Sequence, residues 1–137
     1  MPDPATDAVQ ATIEAHNAAM RSFGERQREL VSRRTQIILI PGPITPPQRA
    51  EIDAIKVAID EILVAVEAYN IDLLAFLDSA AGVRQLAERV TEVNAALKRS
   101  IDRVAGIIDK MARLEAMLKT ANAFLTAVKA LIGLVTP

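Results

Sequence analysis

The chain has no cysteine and no tryptophan, and among its 137 residues it holds one histidine, one tyrosine and three phenylalanines. Without cysteine there is no disulfide framework, no thiolate nucleophile and no cysteine-ligated zinc. The lone His16 excludes any mechanism that needs two imidazoles. With Ile13 three residues before it, the Glu-x-x-His pairing of di-iron bundles is absent as well. Aromatics at 3% supply little for stacking bases or flat cofactors. The five glycines, Gly24, Gly42, Gly82, Gly106 and Gly133, stand singly, so there is no glycine-rich phosphate loop.

Neither sign of charge prevails, since 16 basic residues stand against 17 acidic ones, which argues for no polyanionic or polycationic partner. Apolar runs are short too. Ile37 to Ile44 is broken by proline and Ala121 to Val135 is interrupted by Lys129, whereas spanning lipid takes roughly 20 apolar residues. Met1-Pro2-Asp3-Pro4 carries neither the basic nor the apolar stretch of a secretory signal. The compartment stays open, with the cytoplasm as the default.

What the chain does have is helical periodicity. From Ile52 through Ile55, Ile59, Ile62, Val66, Tyr69 and Leu73 to Val90, apolar residues recur at alternating steps of three and four, the spacing of a heptad seam. The seam continues through Asn94 to Leu97, Ile101, Val104, Ile108 and Met111. These signals predict an all-α fold, an antiparallel bundle of three long helices with a short apolar C-terminal helix, in one domain.

Asp3-Pro4 starts the first helix, expected over about residues 4–35, with Val9, Ile13, His16, Met20, Phe23, Gln27 and Leu30 as its seam. Pro41-Gly42-Pro43 within the connection 36–45 breaks it. Thr45, Pro46 and Gln48 then spell a capping box for a second helix over about 46–78. Asp78 to Gly82 reads as a turn before a third helix over about 83–119, and a short helix follows over about 121–134.

Three features carry the functional expectation. The second helix shows an additional stripe, Ala54, Val57, Val64, Ala68, Ile71 and Ala75, and a helix apolar on two sides is normally covered on two sides. That stripe is the expected interface with a second copy or with a helical protein partner. Asn94, an amide in an apolar seam, is the expected register residue. The C-terminal face of Phe124, Leu125, Val128, Leu131, Ile132 and Val135 either docks on the bundle or meets a membrane surface, and the apolar loop Ile37 to Ile44 suits lipid as well.

Arg21, Arg26, Arg28, Arg33 and Arg34 crowd the first helix, but Glu25 and Glu29 interrupt them, and residues 49–78 hold two basic against seven acidic side chains. We therefore expect no nucleic-acid partner. Paired carboxylates such as Asp60 and Glu61 fall on faces expected to be solvated, so no catalytic residue, metal site or cofactor is expected. The chain reads as a non-catalytic assembly or interaction protein, with a peripheral membrane protein as the alternative.

Overall fold

The computed structural model describes residues 4–104 and 111–135, with the side chains of residues 4, 5, 111–113 and 135 left aside. Every regular element among these residues is an α-helix: α1 Pro4–Ile38, α2 Pro46–Tyr69, α3 Leu73–Leu77, α4 Ala80–Val104 and α5 Met111–Val135. The expected all-α bundle is the fold observed. Helix α1 packs on α2 and α5, and α4 packs on the same two, which closes the four long helices into a ring around one apolar core. Neighbours in the chain run antiparallel. Arg33 near the end of α1 pairs with Glu51 near the start of α2, while His16 reaches the last residue of α2, Tyr69.

The helix ends differ from expectation in instructive ways. Helix α1 runs to Ile38 rather than 35, because helix propensity is a weak prior and Ile37, only 2% exposed, is rewarded by packing. Pro41 then ends it, and Gly42 turns the chain with φ +98, a left-handed conformation that glycine adopts without a Cβ penalty. The capping box at α2 forms as read: the Gln48 amide donates to Thr45 Oγ1 at 3.3 Å, and the Thr45 amide donates to Gln48 Oε1 at 2.9 Å.

The expected second helix over 46–78 is divided. Asn70 caps α2, and Asp72 begins α3 by accepting from the Ala75 amide at 3.4 Å. The apolar seam through Tyr69, Leu73 and Phe76 conceals this break, because it keeps helical spacing while the backbone does not stay helical.

Ser79 caps α4, its Oγ accepting from the Gly82 amide at 3.0 Å. Gly82 thus lies in the first turn of α4 and is needed there for room. A Cβ on it would stand 2.3 Å from the Phe76 carbonyl oxygen, so only glycine lets α3 lie this close.

The described part of the expected third helix is α4, to Val104, while residues 111–119 belong with the C-terminal helix, which is continuous in α5 from Met111 through the expected start at 121. Residues 105–110, with the seam position Ile108, lie outside the described residues. Thr120, just before the expected start at 121, lies within α5. Its hydroxyl donates to the Met117 carbonyl at 2.7 Å inside α5, between the fully buried Met117 and Ala121. As a continuous helix, α5 contains a stretch, Leu114–Leu134, long and apolar enough by composition to cross a membrane. In the bundle its Leu114, Met117, Ala121, Phe124, Val128 and Leu131 face the core.

Candidate functional site: a buried polar chain and an exposed apolar tip

The scarce aromatic and polar residues converge at one level of the bundle. Because α2 stops at Tyr69, the Tyr69 carbonyl takes no amide from a following helical turn and accepts instead from the Ile71 amide at 3.0 Å. His16 Nε2 lies 2.8 Å from the same carbonyl and donates its hydrogen, which assigns the proton to that nitrogen. Arg89 Nε donates in the same way to the Ala68 carbonyl at 3.1 Å.

The Tyr69 side chain is 1% exposed and its hydroxyl donates to Asn94 Oδ1 at 2.5 Å. Asn94, 4% exposed, donates from Nδ2 to the Ala121 carbonyl at 2.9 Å. One chain of hydrogen bonds therefore runs from α1 through α2 and α4 to α5. Around it the His16 ring stands 5.2 Å from Phe124, and Tyr69 stands 5.0 Å from Phe23 and 5.3 Å from Phe124. Burial pushes the Tyr69 phenol well above the usual tyrosine range, so it stays a neutral donor.

Asn94 thus sits in the seam as expected, but the sequence offered no sign of its partners. Tyr69 had the same apolar spacing as its isoleucine neighbours, and a phenol that packs as a hydrophobe can still donate across the seam. His16 reads as structural in both views, through the Tyr69 carbonyl.

The expected interface stripe is not one surface. Ala54 is in the core, Val57, Ala68 and Ile71 are half-buried, and only Val64 and Ala75 are exposed. The buried face of α2 is Ala54, Ile55, Ala58, Ile62, Ala65 and Tyr69, which lies between the two stripes read from spacing. The four-helix ring covers that broad face, leaving Val64, 55% exposed, and Leu63 at 44% among charged Lys56, Asp60 and Glu67.

The C-terminal face is likewise split: Phe124, Val128 and Leu131 are buried in the core, while Leu125 and Ile132 are half-buried at its edge. The side chain of Val135 lies outside the described residues. The core line of α5 is thus one residue away from the line Leu118, Leu125, Ile132.

Exposed apolar surface gathers instead at the end of the α1–α2 hairpin. Val31, Ile38, Leu39, Ile40 and Ile44 are five of the nine large exposed hydrophobics among the described residues, with Leu39 at 73%. Charges pair across this hairpin at Arg33, whose Nε and Nη2 donate to Glu51 at 2.8 and 3.2 Å. Arg26 is held within α1 by Glu25 and Glu29, beside a shallow open hollow lined also by Arg28 and Ser32. No group of three or more potential metal-ligating side chains occurs among the described residues.

No family model matches this chain, and neither a curated protein nor a solved structure does.

Proposed function

We propose that this chain is a non-catalytic interaction module whose contact surface is the apolar tip of the α1–α2 hairpin. The observation that carries this reading is the gathering of Val31, Ile38, Leu39, Ile40 and Ile44, five of the nine large exposed hydrophobics among the described residues, at one end of the α1–α2 hairpin. Single exposed aliphatics are ordinary, whereas a contiguous group marks a surface that meets something else. The buried polar chain supports the same reading from the other side. Its donors are consumed in tying four helices together, so it is a structural clamp rather than a place for chemistry.

The tip replaces the α2 stripe as the contact surface. Leu63 and Val64 stand on a charged face without an apolar neighbourhood, and two side chains bury too little to hold a partner. Retention on a phenyl matrix under mild salt tests the reading. Leu39→Asp should elute much earlier than the parent chain with unchanged helical circular dichroism; equal retention would mean that the tip offers no accessible surface, and the reading would fall.

A further inference from the structure

We propose that the connection between α2 and α4 is a hinge that straightens, joining α2, α3 and α4 into one long helix and two copies of this chain into a dimer that exchanges its halves. The inference concerns the end of the bundle away from the hairpin tip and does not depend on what the tip contacts. The α1–α2 connection is fixed as a turn by Pro41, Gly42, Pro43, Pro46 and Pro47. Residues 70–81, by contrast, hold no proline and no glycine, and the seam Tyr69, Leu73, Phe76, Ala80, Val83, Ala87 crosses them in unbroken helical phase. The backbone there is close to helical as well. Asp78 already has φ −77 and ψ −13. Asn70 and Asp72 have φ −82 and −77, so bringing these two residues into a helix turns chiefly ψ, from 78 and 87 to about −42.

The register of the bundle makes the straight form self-complementary. Tyr69 of α2 meets Asn94 of α4 in the antiparallel pair. Two straight helices that keep this register between copies set Leu73 against Val90, Phe76 against Ala87 and Ala80 against Val83. Every seam position then meets a seam position of the second copy, and Ala81 and Gly82 fall at the twofold axis, where glycine permits a close crossing. Lengths agree with this arrangement. From the level of His16, Tyr69, Asn94 and Ala121, α1 runs back to Pro4, α4 back to Ala80 and α5 on to Val135, each about 20 Å at about 1.5 Å per residue. A straight helix from Tyr69 to Gly82 covers the same distance, so the described residues of the two half-bundles meet end to end at the axis without overlap. Helix α1 stays with α2 and α4 with α5, while the α1–α5 and α2–α4 faces form again between copies.

A small set of caps holds the closed form. A continuous helix needs the Ala68 and Tyr69 carbonyls for the Asp72 and Leu73 amides. In the closed chain Arg89 Nε donates to the first at 3.1 Å, while His16 Nε2 at 2.8 Å and the Ile71 amide at 3.0 Å donate to the second. Asp72 and Ser79 cap α3 and α4 by accepting from the Ala75 and Gly82 amides. Straightening replaces these caps with ordinary helical bonds and makes the Tyr69 to Asn94 bond one between copies, so the two forms differ by caps rather than by a core. The entropy of association is the remaining cost, and concentration therefore drives the exchange. The dimer carries its two hairpin tips to opposite ends, roughly 100 Å apart at about 1.5 Å per residue.

The experiment refolds the full chain from denaturant at micromolar and at millimolar concentration, dilutes it, and follows mass by light scattering and shape by small-angle X-ray scattering. Concentrated refolding should yield a dimer whose longest dimension is about twice that of the monomer. Asn70→Ala with Asp72→Ala removes caps and raises helix propensity, and should increase the ratio of dimer to monomer at least about ten-fold. Leu73→Pro added to that pair should restore the monomer, because proline fits the first position of α3 but cannot stand inside a continuous helix. Leu39→Asp, at the tip, should leave the dimer unchanged. A chain with Asn70→Ala and Asp72→Ala that stays monomeric, a dimer no longer than the monomer, or one that survives Leu73→Pro would overturn the proposal. So would a dimer lost with Leu39→Asp, which would place the contact at the tip instead. The length of the dimer decides the matter even if Leu73→Pro weakens the fold.

Discussion

The Tyr69 hydroxyl donates to Asn94 Oδ1 across the α2–α4 interface, with both side chains almost wholly buried. This pairing changes what an apolar replacement at Asn94 does. In an isolated seam, isoleucine or leucine would raise stability. Here it leaves the Tyr69 hydroxyl buried without an acceptor.

Asn94→Leu should accordingly lower stability by about 1–3 kcal/mol, the cost of one orphaned buried donor. Tyr69→Phe together with Asn94→Leu should regain most of that loss, because replacing both partners removes the orphan. Denaturant unfolding of the two single variants and the double variant measures the coupling. Strictly additive losses would mean that the two side chains do not act as a pair.

Tyr69 also sets an alkaline limit. Burial raises its folded pKa above the unfolded value of about 10, so its contribution is complete below that pH. Above it, the unfolded chain releases the phenolic proton while the folded chain keeps it. Stability should then fall by up to about 1.4 kcal/mol per pH unit. The difference in unfolding free energy between the parent chain and Tyr69→Phe, followed from pH 8 upward, isolates this effect from lysine titration. A difference that stays constant above about pH 10 would contradict it.

Gly82→Ala tests the close approach of α3 to α4. The new Cβ would meet the Phe76 carbonyl, backbone that moves only if α3 shifts. A loss of about 1–3 kcal/mol is expected, typical of overpacking, although alanine is the better helix former. A thermal midpoint raised by the substitution would show that α3 does not rest on this turn.

Two substitutions on α5 should separate its buried line from its exposed side. Phe124→Ala empties a fully buried site against His16 and Tyr69 and should cost about 3–5 kcal/mol. Leu134→Ala, at a side chain 49% exposed, should cost less than about 1 kcal/mol. Removal of residues 121–137 deletes Ala121, Phe124, Val128 and Leu131 together, and each large side chain is worth roughly 1.5–3 kcal/mol when buried. Such a truncated chain should lose its cooperative thermal transition; melting at the parent temperature would mean that α5 is dispensable to the bundle.

Much of this architecture is written locally. The spacing Val83, Ala87, Val90, Asn94, Leu97, Ile101, Val104 is the buried line of α4 as read, since one face is apolar and the other charged, leaving no second way to turn the helix. Thr45 with Gln48, and Pro41-Gly42, act within a few residues of backbone, so capping and chain reversal follow from side-chain chemistry alone. The hairpin tip was partly legible too. Ile37 to Ile44 is plainly apolar, but spacing alone did not tell the covered Ile37 from the exposed Leu39.

Where two apolar lines run along one helix, spacing cannot choose between them. Helix α5 buries Met117, Phe124 and Leu131 rather than Leu118, Leu125 and Ile132, because α1 and α4 must both reach it. For the same reason α2 buries the face between its two stripes. The end of α2 at Asn70 was weaker than the apolar run that crosses it, and it matters because stopping there turns the Tyr69 carbonyl out of the helix, where it accepts from both the Ile71 amide and His16. From the sequence alone come the helical class, the α4 seam, the caps and the buried amide at Asn94. Which faces close together, and that Asn94 meets Tyr69, were decided only when four helices had to share one core, since burial is a property of neighbours rather than of spacing.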